Sequence, residues 1–203
     1  MTRLLHIVGS PMEELSFSRR AAEAFVAAYR SAHPGDAVET LDLWTAELPE
    51  FDKTCAAGKY KVTRGLPHTP QEAAAWERVS AMARHFAAAD KLVISTGMWN
   101  FTLPYRLKQY IDIVTQPRIV WDPAAGQGML GSRRVQLVLA SGGRYPDGAP
   151  ADHQLPYLKT ILGFMGITDI RVLRVMGTGG KPEAAEAALD AVLAAVPAAA
   201  RDF

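Results

Sequence analysis

The segment Lys91-Leu92-Val93-Ile94-Ser95-Thr96-Gly97-Met98-Trp99-Asn100-Phe101-Thr102-Leu103-Pro104 constrains the fold more than any other part of the chain. It opens on a short run rich in β-branched residues, which suits a strand buried on both faces of a parallel sheet. It continues through Leu107, Ile111 and Val114, spaced four and three apart on one face of a helix over residues 103–114. Pro104 is expected in the first helical turn, where its missing N–H costs nothing. In an open α/β sheet, the loop at the carboxyl end of a strand is where ligands bind. The loop here, residues 97–101, combines a glycine, an amide and large flat or soft apolar side chains. That mix suits a flat heteroaromatic ring with hydrogen-bonding edges. For the loop taken alone, core packing of Met98, Trp99 and Phe101 accounts for the same residues equally well.

The rest of the chain repeats the alternation. Residues 3–8 read as a first buried strand, followed by a turn-rich loop with Ser10, Pro11 and Ser16. Phe17, Ala21, Ala24, Phe25 and Ala28 mark an amphipathic helix that Ser16 or Ser18 caps and Pro34-Gly35 stops. Residues 37–43 form a second strand. Over residues 44–68 the periodicity dissolves, and a loop of that length suits a pocket wall or a subunit contact. Thr69-Pro70-Gln71-Glu72 is a capping box with proline at the first helical position, and Trp76, Val79, Ala83 and Phe86 form the buried face behind it. Residues 116–134 again read as irregular. Strands at 135–140 and 170–175 and helices at 153–165 and 182–195 complete the pattern. Strands alternating with helices mean a parallel sheet covered on both faces. The expected fold is α/β: one domain over residues 1–203, a three-layer sandwich on a five-stranded parallel sheet of order 2-1-3-4-5. In that order the loops after the first, third and fourth strands converge on one edge.

Composition removes several classes of function. The 203 residues carry a formal net charge of +1, which is no footprint for nucleic acid or an anionic membrane. The N-terminal apolar run Leu4 to Val8 is too short for a signal sequence, and no stretch approaches the roughly 20 apolar residues of a spanning helix. Cys55 is the lone cysteine, which forbids an internal disulfide and fits a reducing cytoplasm. No signature of a nucleophile surrounds it, so it is expected to be a bystander thiol in a loop. Histidines 6, 33, 68, 85 and 153 show no metal-ligand spacing, and no metal is expected. His6, inside a strand, reads as a core histidine with its hydrogen bonds satisfied.

Three loops can carry chemistry. In the first, Ser10, Ser16 and Ser18 stand beside the free N–H groups of a helix start, which together suit a phosphate. Ordinary capping explains the same serines. The loop has no Gly-x-Gly-x-x-Gly, and Gly180-Lys181 is followed by Pro182 where a Walker loop needs Ser or Thr. The second is the 97–101 loop. The third holds Ser141, Gly142 and Gly143, where missing Cβ atoms let backbone approach a ligand.

Met98-Trp99-Asn100-Phe101, with Leu103-Pro104 and Leu107-Lys108-Gln109-Tyr110-Ile111-Asp112 behind it, resembles the flavin loop of FMN-dependent NADH-azoreductases. These belong to a wider flavodoxin-like family that includes the NAD(P)H:quinone reductases. The resemblance runs along essentially the whole chain. It implies a homodimer with one FMN per subunit near the subunit contact, and no catalytic side chain. Ser10, Ser16, Phe17 and Ser18 would hold the phosphate. Met98, Trp99, Asn100 and Phe101 would line the isoalloxazine, with Asn100 on its polar edge. Ala140, Ser141, Gly142 and Gly143 would sit at the pyrimidine side, and Trp121 and Tyr145 would shape the substrate pocket. The chain departs from the family at Gly97, commonly proline, and at Trp99, commonly tyrosine. It also lacks the arginine of a Ser-Arg-Gly-Gly loop and has Tyr145 where a histidine often follows. These changes leave the flavin site in place and bear on substrate preference. The implied activity is two-electron transfer from NADH or NADPH to quinones or aromatic azo compounds by a ping-pong mechanism. The rival reading is a flavodoxin-like electron carrier or flavin sensor; carriers tend to be acidic, and this chain is near neutral.

Overall fold

A computed structural model describes residues 1–203. The elements run β1 Arg3–Val8, α1 Phe17–Ala32, β2 Ala37–Asp42, α2 Lys53–Val62, α3 Pro70–Ala87, β3 Lys91–Gly97, α4 Tyr105–Val114, β4 Trp121–Asp122, β5 Gln127–Gly128, β6 Arg134–Ser141, α5 Gln154–Phe164, β7 Asp169–Met176 and α6 Pro182–Arg201. Five parallel strands form one sheet in the order β2-β1-β3-β6-β7, which is the expected 2-1-3-4-5 once the two short strands are set aside. β4 and β5 pair only with each other, as a small antiparallel ribbon.

Alternation along each strand sends side chains to two cores. Leu5, Ile7, Leu92, Ile94, Val135, Leu137 and Leu139 face α3, α4 and α5. Leu4, Val93, Val138 and Ala140 face α1 and α6. Burial on both faces explains why these strands read as continuous apolar runs.

The capping box is present in full: Thr69 Oγ1 accepts from Glu72 N at 3.2 Å and Glu72 Oε2 accepts from Thr69 N at 2.8 Å. Ser16 caps α1 through its hydroxyl, which accepts from Arg19 N at 3.3 Å.

The structure corrects four expectations. Residues 44–68 are not a long loop, because α2 occupies 53–62, capped by Asp52, whose carboxylate accepts from Cys55 N at 2.8 Å. Its inward positions are the small residues Cys55 and Gly58, so it shows no large apolar stripe. Cys55 is therefore a fully buried helix residue and not a loop thiol, and burial pushes its pKa up, away from the reactive thiolate. Residues 116–134 contain the β4–β5 ribbon. α6 runs through Pro197 to Arg201, because Val196, Ala200 and Phe203 stay buried against α1 and that burial offsets the missing N–H. Pro104 stands just before α4, with ψ at 143°, and not inside its first turn.

His6 is buried, and its Nε2 lies 3.0 Å from Ser95 Oγ on the neighbouring strand. Burial, aided by the Arg19 guanidinium, lowers its pKa from 6.5 to about 4. The unfolded chain binds this proton near pH 6.5 and the folded one only near pH 4, so folding weakens as pH falls through that window. At 1.36 kcal/mol per unit the full loss is about 3 kcal/mol. Urea unfolding at pH 7 and pH 4.5 should show that His6→Gln, which keeps a polar partner for Ser95, loses about 2–3 kcal/mol less than the parent. Equal losses in the two proteins would refute the assignment.

Candidate functional site

Register brings the three loops level. Val8 pairs with Ser95, and Gly97 pairs with Ala140, so β1, β3 and β6 end side by side. Gly9 N donates to Ser95 O at 2.8 Å and Met98 N donates to Ala140 O at 2.7 Å, which ties each loop to the next strand. Gly9 admits no larger residue without a shift, because a Cβ there would lie 3.2 Å from both Leu107 Cδ2 and Ser95 O.

At the first loop Ser10, Ser16 and Ser18 are all buried, and Ser16 Oγ lies 3.2 Å from Ser18 Oγ. Ser10 Oγ accepts from Met12 N at 3.4 Å. Phe17 and Ser18, the first two residues of α1, have N–H groups with no acceptor in the chain. Hydroxyls and open N–H groups at the positive end of a four-turn helix make a cradle for a dianion.

The second loop is a tight turn. Trp99 and Thr102 exchange backbone hydrogen bonds of 3.1 and 2.9 Å, and the two residues between them, Asn100 and Phe101, have φ of 47° and 67°. This is the left-handed region at both central positions, the geometry of a type I′ turn. Asn tolerates it; Phe does so at a cost, and such strain concentrates at functional sites. The turn is held from outside as well. Phe101 O accepts from His153 N at 3.0 Å, just ahead of α5. Asp152 Oδ1 accepts from Gln154 N and Leu155 N at 3.0 and 3.1 Å, and Arg174 Nη2 donates to Asp152 Oδ2 at 2.6 Å. Trp99 is 38% exposed and Phe101 52%, which rules out the core-packing alternative for both. Trp99 borders Trp44, at 5.8 Å between ring centroids, and Trp44 borders Tyr105 at 5.3 Å. Nothing lies within 4 Å of where a Cβ on Gly97 would stand, so there is open room above the end of β3.

In the third loop Ala140 and Ser141 belong to the end of β6 rather than to the loop proper. Ser141 Oγ donates to Gly143 O at 2.9 Å, so this hydroxyl shapes the turn. Gly143 O also accepts from Gly177 N at 3.1 Å, and Gly142 O accepts from Gly179 N at 3.1 Å. The carbonyls are thus engaged, while the N–H groups of Gly142 and Gly143 have no acceptor in the chain. A Cβ on Gly143 would lie 3.0 Å from the Tyr145 ring, so this glycine lets the tyrosine fold back over the loop.

The rim therefore offers a dianion cradle, an exposed aromatic edge and paired N–H donors, the three parts of a site for a flat heterocycle with an anionic tail. A family profile described as the flavodoxin-like fold matches residues 2–199. The chain belongs to this flavodoxin-like family. It is 43% identical over 193 residues to the FMN-dependent NADH:quinone oxidoreductase of Nitratidesulfovibrio vulgaris strain DP4, covering 92% of each chain. The crystal structure of an azoreductase from Bacillus anthracis strain Sterne superposes with a TM-score of 0.89 at 31% identity, covering all of both chains. A second B. anthracis structure, an FMN-dependent NADH-azoreductase in complex with FMN, gives 0.85 at 27% identity over 98% of this chain and all of that one.

Within the family frame, Ser10, Ser16, Phe17, Ser18, Met98, Trp99, Asn100, Phe101, Ala140, Ser141, Gly142, Gly143 and Tyr145 gather at one edge of the sheet. Trp121 does not. It follows α4, whose ten residues carry the chain about 15 Å from the rim, and it packs on Phe164 with ring centroids 5.2 Å apart. Sequence reading passed over Trp44, His153, Asp152 and Arg174. Asp152 two residues before Gln154 was a capping signal; the reach of Arg174 from β7 had none.

Proposed function

We propose that residues 1–203 form one FMN-binding domain of an oxidoreductase that passes two electrons from NADH or NADPH to a quinone or an aromatic azo compound. FMN, when bound, supplies the hydride and electron chemistry; the protein supplies binding, orientation and electrostatics. The hydroxyls of Ser10, Ser16 and Ser18 and the N–H groups of Phe17 and Ser18 would hold the phosphate. Met98, Trp99 and Phe101 would lie along the ring, with the Asn100 amide on its polar edge. Gly142 and Gly143 would aim N–H donors at the pyrimidine edge, where negative charge develops. No side chain acts as nucleophile, and one open face would serve donor and acceptor in turn, which makes the kinetics ping-pong.

The observation that carries this reading is the free N–H pair of Gly142 and Gly143 set level with the strained Asn100-Phe101 turn and the serine cradle. The similarity to named quinone oxidoreductases and azoreductases supports the reaction class. The working form would be a homodimer: Trp99, Phe101 and Tyr105 leave apolar surface exposed around the rim, and Trp121 would reach that rim only from a second copy. No helix is long and apolar enough to cross a membrane, and a cytoplasmic setting accords with the single buried thiol.

The test is a flavin spectrum of the purified protein, followed by stopped-flow mixing with NADH and with NADPH. The expected result is a yellow protein bleached by one or both donors and reoxidised by an added quinone. A yellow protein whose NAD(P)H oxidation ignores added quinone would return the electron-carrier reading. A protein that takes up no FMN overturns both.

A further inference from the structure

At the end of the molecule away from the rim, Lys59, Arg64 and Arg118 share a cavity of about 580 Å³ with Trp121 and Phe164. That is the size of an ordinary small-molecule site. No acidic side chain lines it, and none of the three cations takes part in an ion pair. Lys59 Nζ donates to Gln116 Oε1 at 2.7 Å and lies over the rings of Phe51 and Trp76. Arg64 lies 4.0 Å from the centre of the Tyr60 ring and donates to Tyr60 O at 3.3 Å. Arg118 Nη1 donates only to Thr63 O, at 3.4 Å. Amides, carbonyls and ring faces hold these cations, and none of them cancels charge. Burial lowers the Lys59 pKa, a cost that an incoming anion would relieve.

A second observation concerns backbone. Arg118 has φ of 65°, in the left-handed region that glycine enters freely and a long L-residue enters at a cost. Its N–H donates to Trp121 O at 2.7 Å, a bond any residue could make. The fold needs this turn but has no need of a guanidinium there. A strained residue that carries an uncompensated charge into a cavity points to a ligand.

We propose that this cavity binds a flat aromatic anion, an aryl sulfonate or aryl carboxylate, and thereby directs the enzyme toward anionic quinone and azo acceptors. Trp121 and Phe164 offer ring faces to the aromatic part. Arg64 and Arg118 offer planar donor forks that match a sulfonate or carboxylate, and Lys59 adds charge. The acceptor preference rests on the proposed oxidoreductase function and its second copy; the binding does not.

The experiment titrates the FMN-loaded protein with 2-naphthalenesulfonate and with 2-naphthol by calorimetry, for the parent, Arg118→Gly and Arg64→Ala. The sulfonate is expected to bind about 10-fold more tightly than the naphthol, and each variant to lose most of that contrast. Arg118→Gly should fold at least as well as the parent, since glycine takes the turn without strain. In turnover, the ratio of kcat/KM for 1,2-naphthoquinone-4-sulfonate to that for menadione should fall about 10-fold in Arg118→Gly. Equal affinity for the two naphthalenes, sulfonate binding that Arg118→Gly leaves unchanged, or a rise in the KM of NADH or NADPH in place of the acceptor effect would overturn the proposal. If the parent reduces neither quinone, the oxidoreductase reading fails, and the calorimetric contrast alone decides the site.

Discussion

Asn100→Ala is expected to weaken FMN binding about 100-fold, and Asn100→Gly about 10-fold. Both variants remove the amide proposed for the polar edge of the ring, and a single hydrogen bond of this kind is worth about one decade. They differ in backbone. Asn100 sits at φ 47° beside Phe101 at 67°, and alanine adopts that region at a cost of about 1–2 kcal/mol, whereas glycine does not. The alanine variant is therefore free to let the turn relax, and the flavin must restore it on binding. The His153 N–H on Phe101 O, 3.0 Å away, holds only one side of the turn and does not prevent this. Flavin titration of the apoprotein reads both steps. If both variants bind FMN like the parent, the amide has no role in the site. If both lose the same factor, the left-handed turn is not what positions the ring.

Gly58→Ala is expected to lower stability by about 3 kcal/mol and the melting temperature by about 8 °C, although alanine is the better helix former. α2 crosses α3 at this residue. A Cβ on Gly58 would stand 2.1 Å from Glu72 O and 2.8 Å from Glu72 C, which are backbone atoms of the first turn of α3 and cannot rotate away. The helices must separate, and Cys55 and Trp76, both buried at that contact, lose packing. Gly35→Ala is the control: nothing lies within 4 Å of its Cβ position, and no loss is expected there. Thermal unfolding of the two variants decides the matter. A Gly58→Ala protein as stable as the Gly35→Ala protein would mean that the helices are not in this contact.

The features read correctly from sequence share a cause: each is local. The capping box needs only Thr69 and Glu72, three residues apart, and both of its hydrogen bonds are present. The runs Leu92-Val93-Ile94 and Val135 to Ala140 are apolar because both faces of the sheet are covered, so they read as strands without knowledge of their neighbours. α2 escaped notice because its inward face is Cys55 and Gly58, and a helix that packs through small residues shows no large apolar stripe. Pro197 reads as a stop, yet α6 passes it, because the burial of Phe203 beyond it is visible only once α1 lies alongside.

The candidate site divides in the same way. The serines of the first loop, the Met-Trp-Asn-Phe turn and the Gly-Gly pair are each legible, since each sits where a strand gives way to a turn. Their meeting at one edge follows from strand order, which alternation and right-handed crossovers make predictable. The amino-acid order thus determined the alternation, the caps, the sheet order and the family to which the rim belongs. Only the folded chain decided that Phe101 is strained and braced through His153, that Asp152 and Arg174 stand behind that brace, and that Trp121 lies far from the loops. Only there, too, do Lys59, Arg64 and Arg118 share one cavity. Such contacts join segments far apart in sequence, and their geometry is set by the packing of whole elements, which no local pattern encodes.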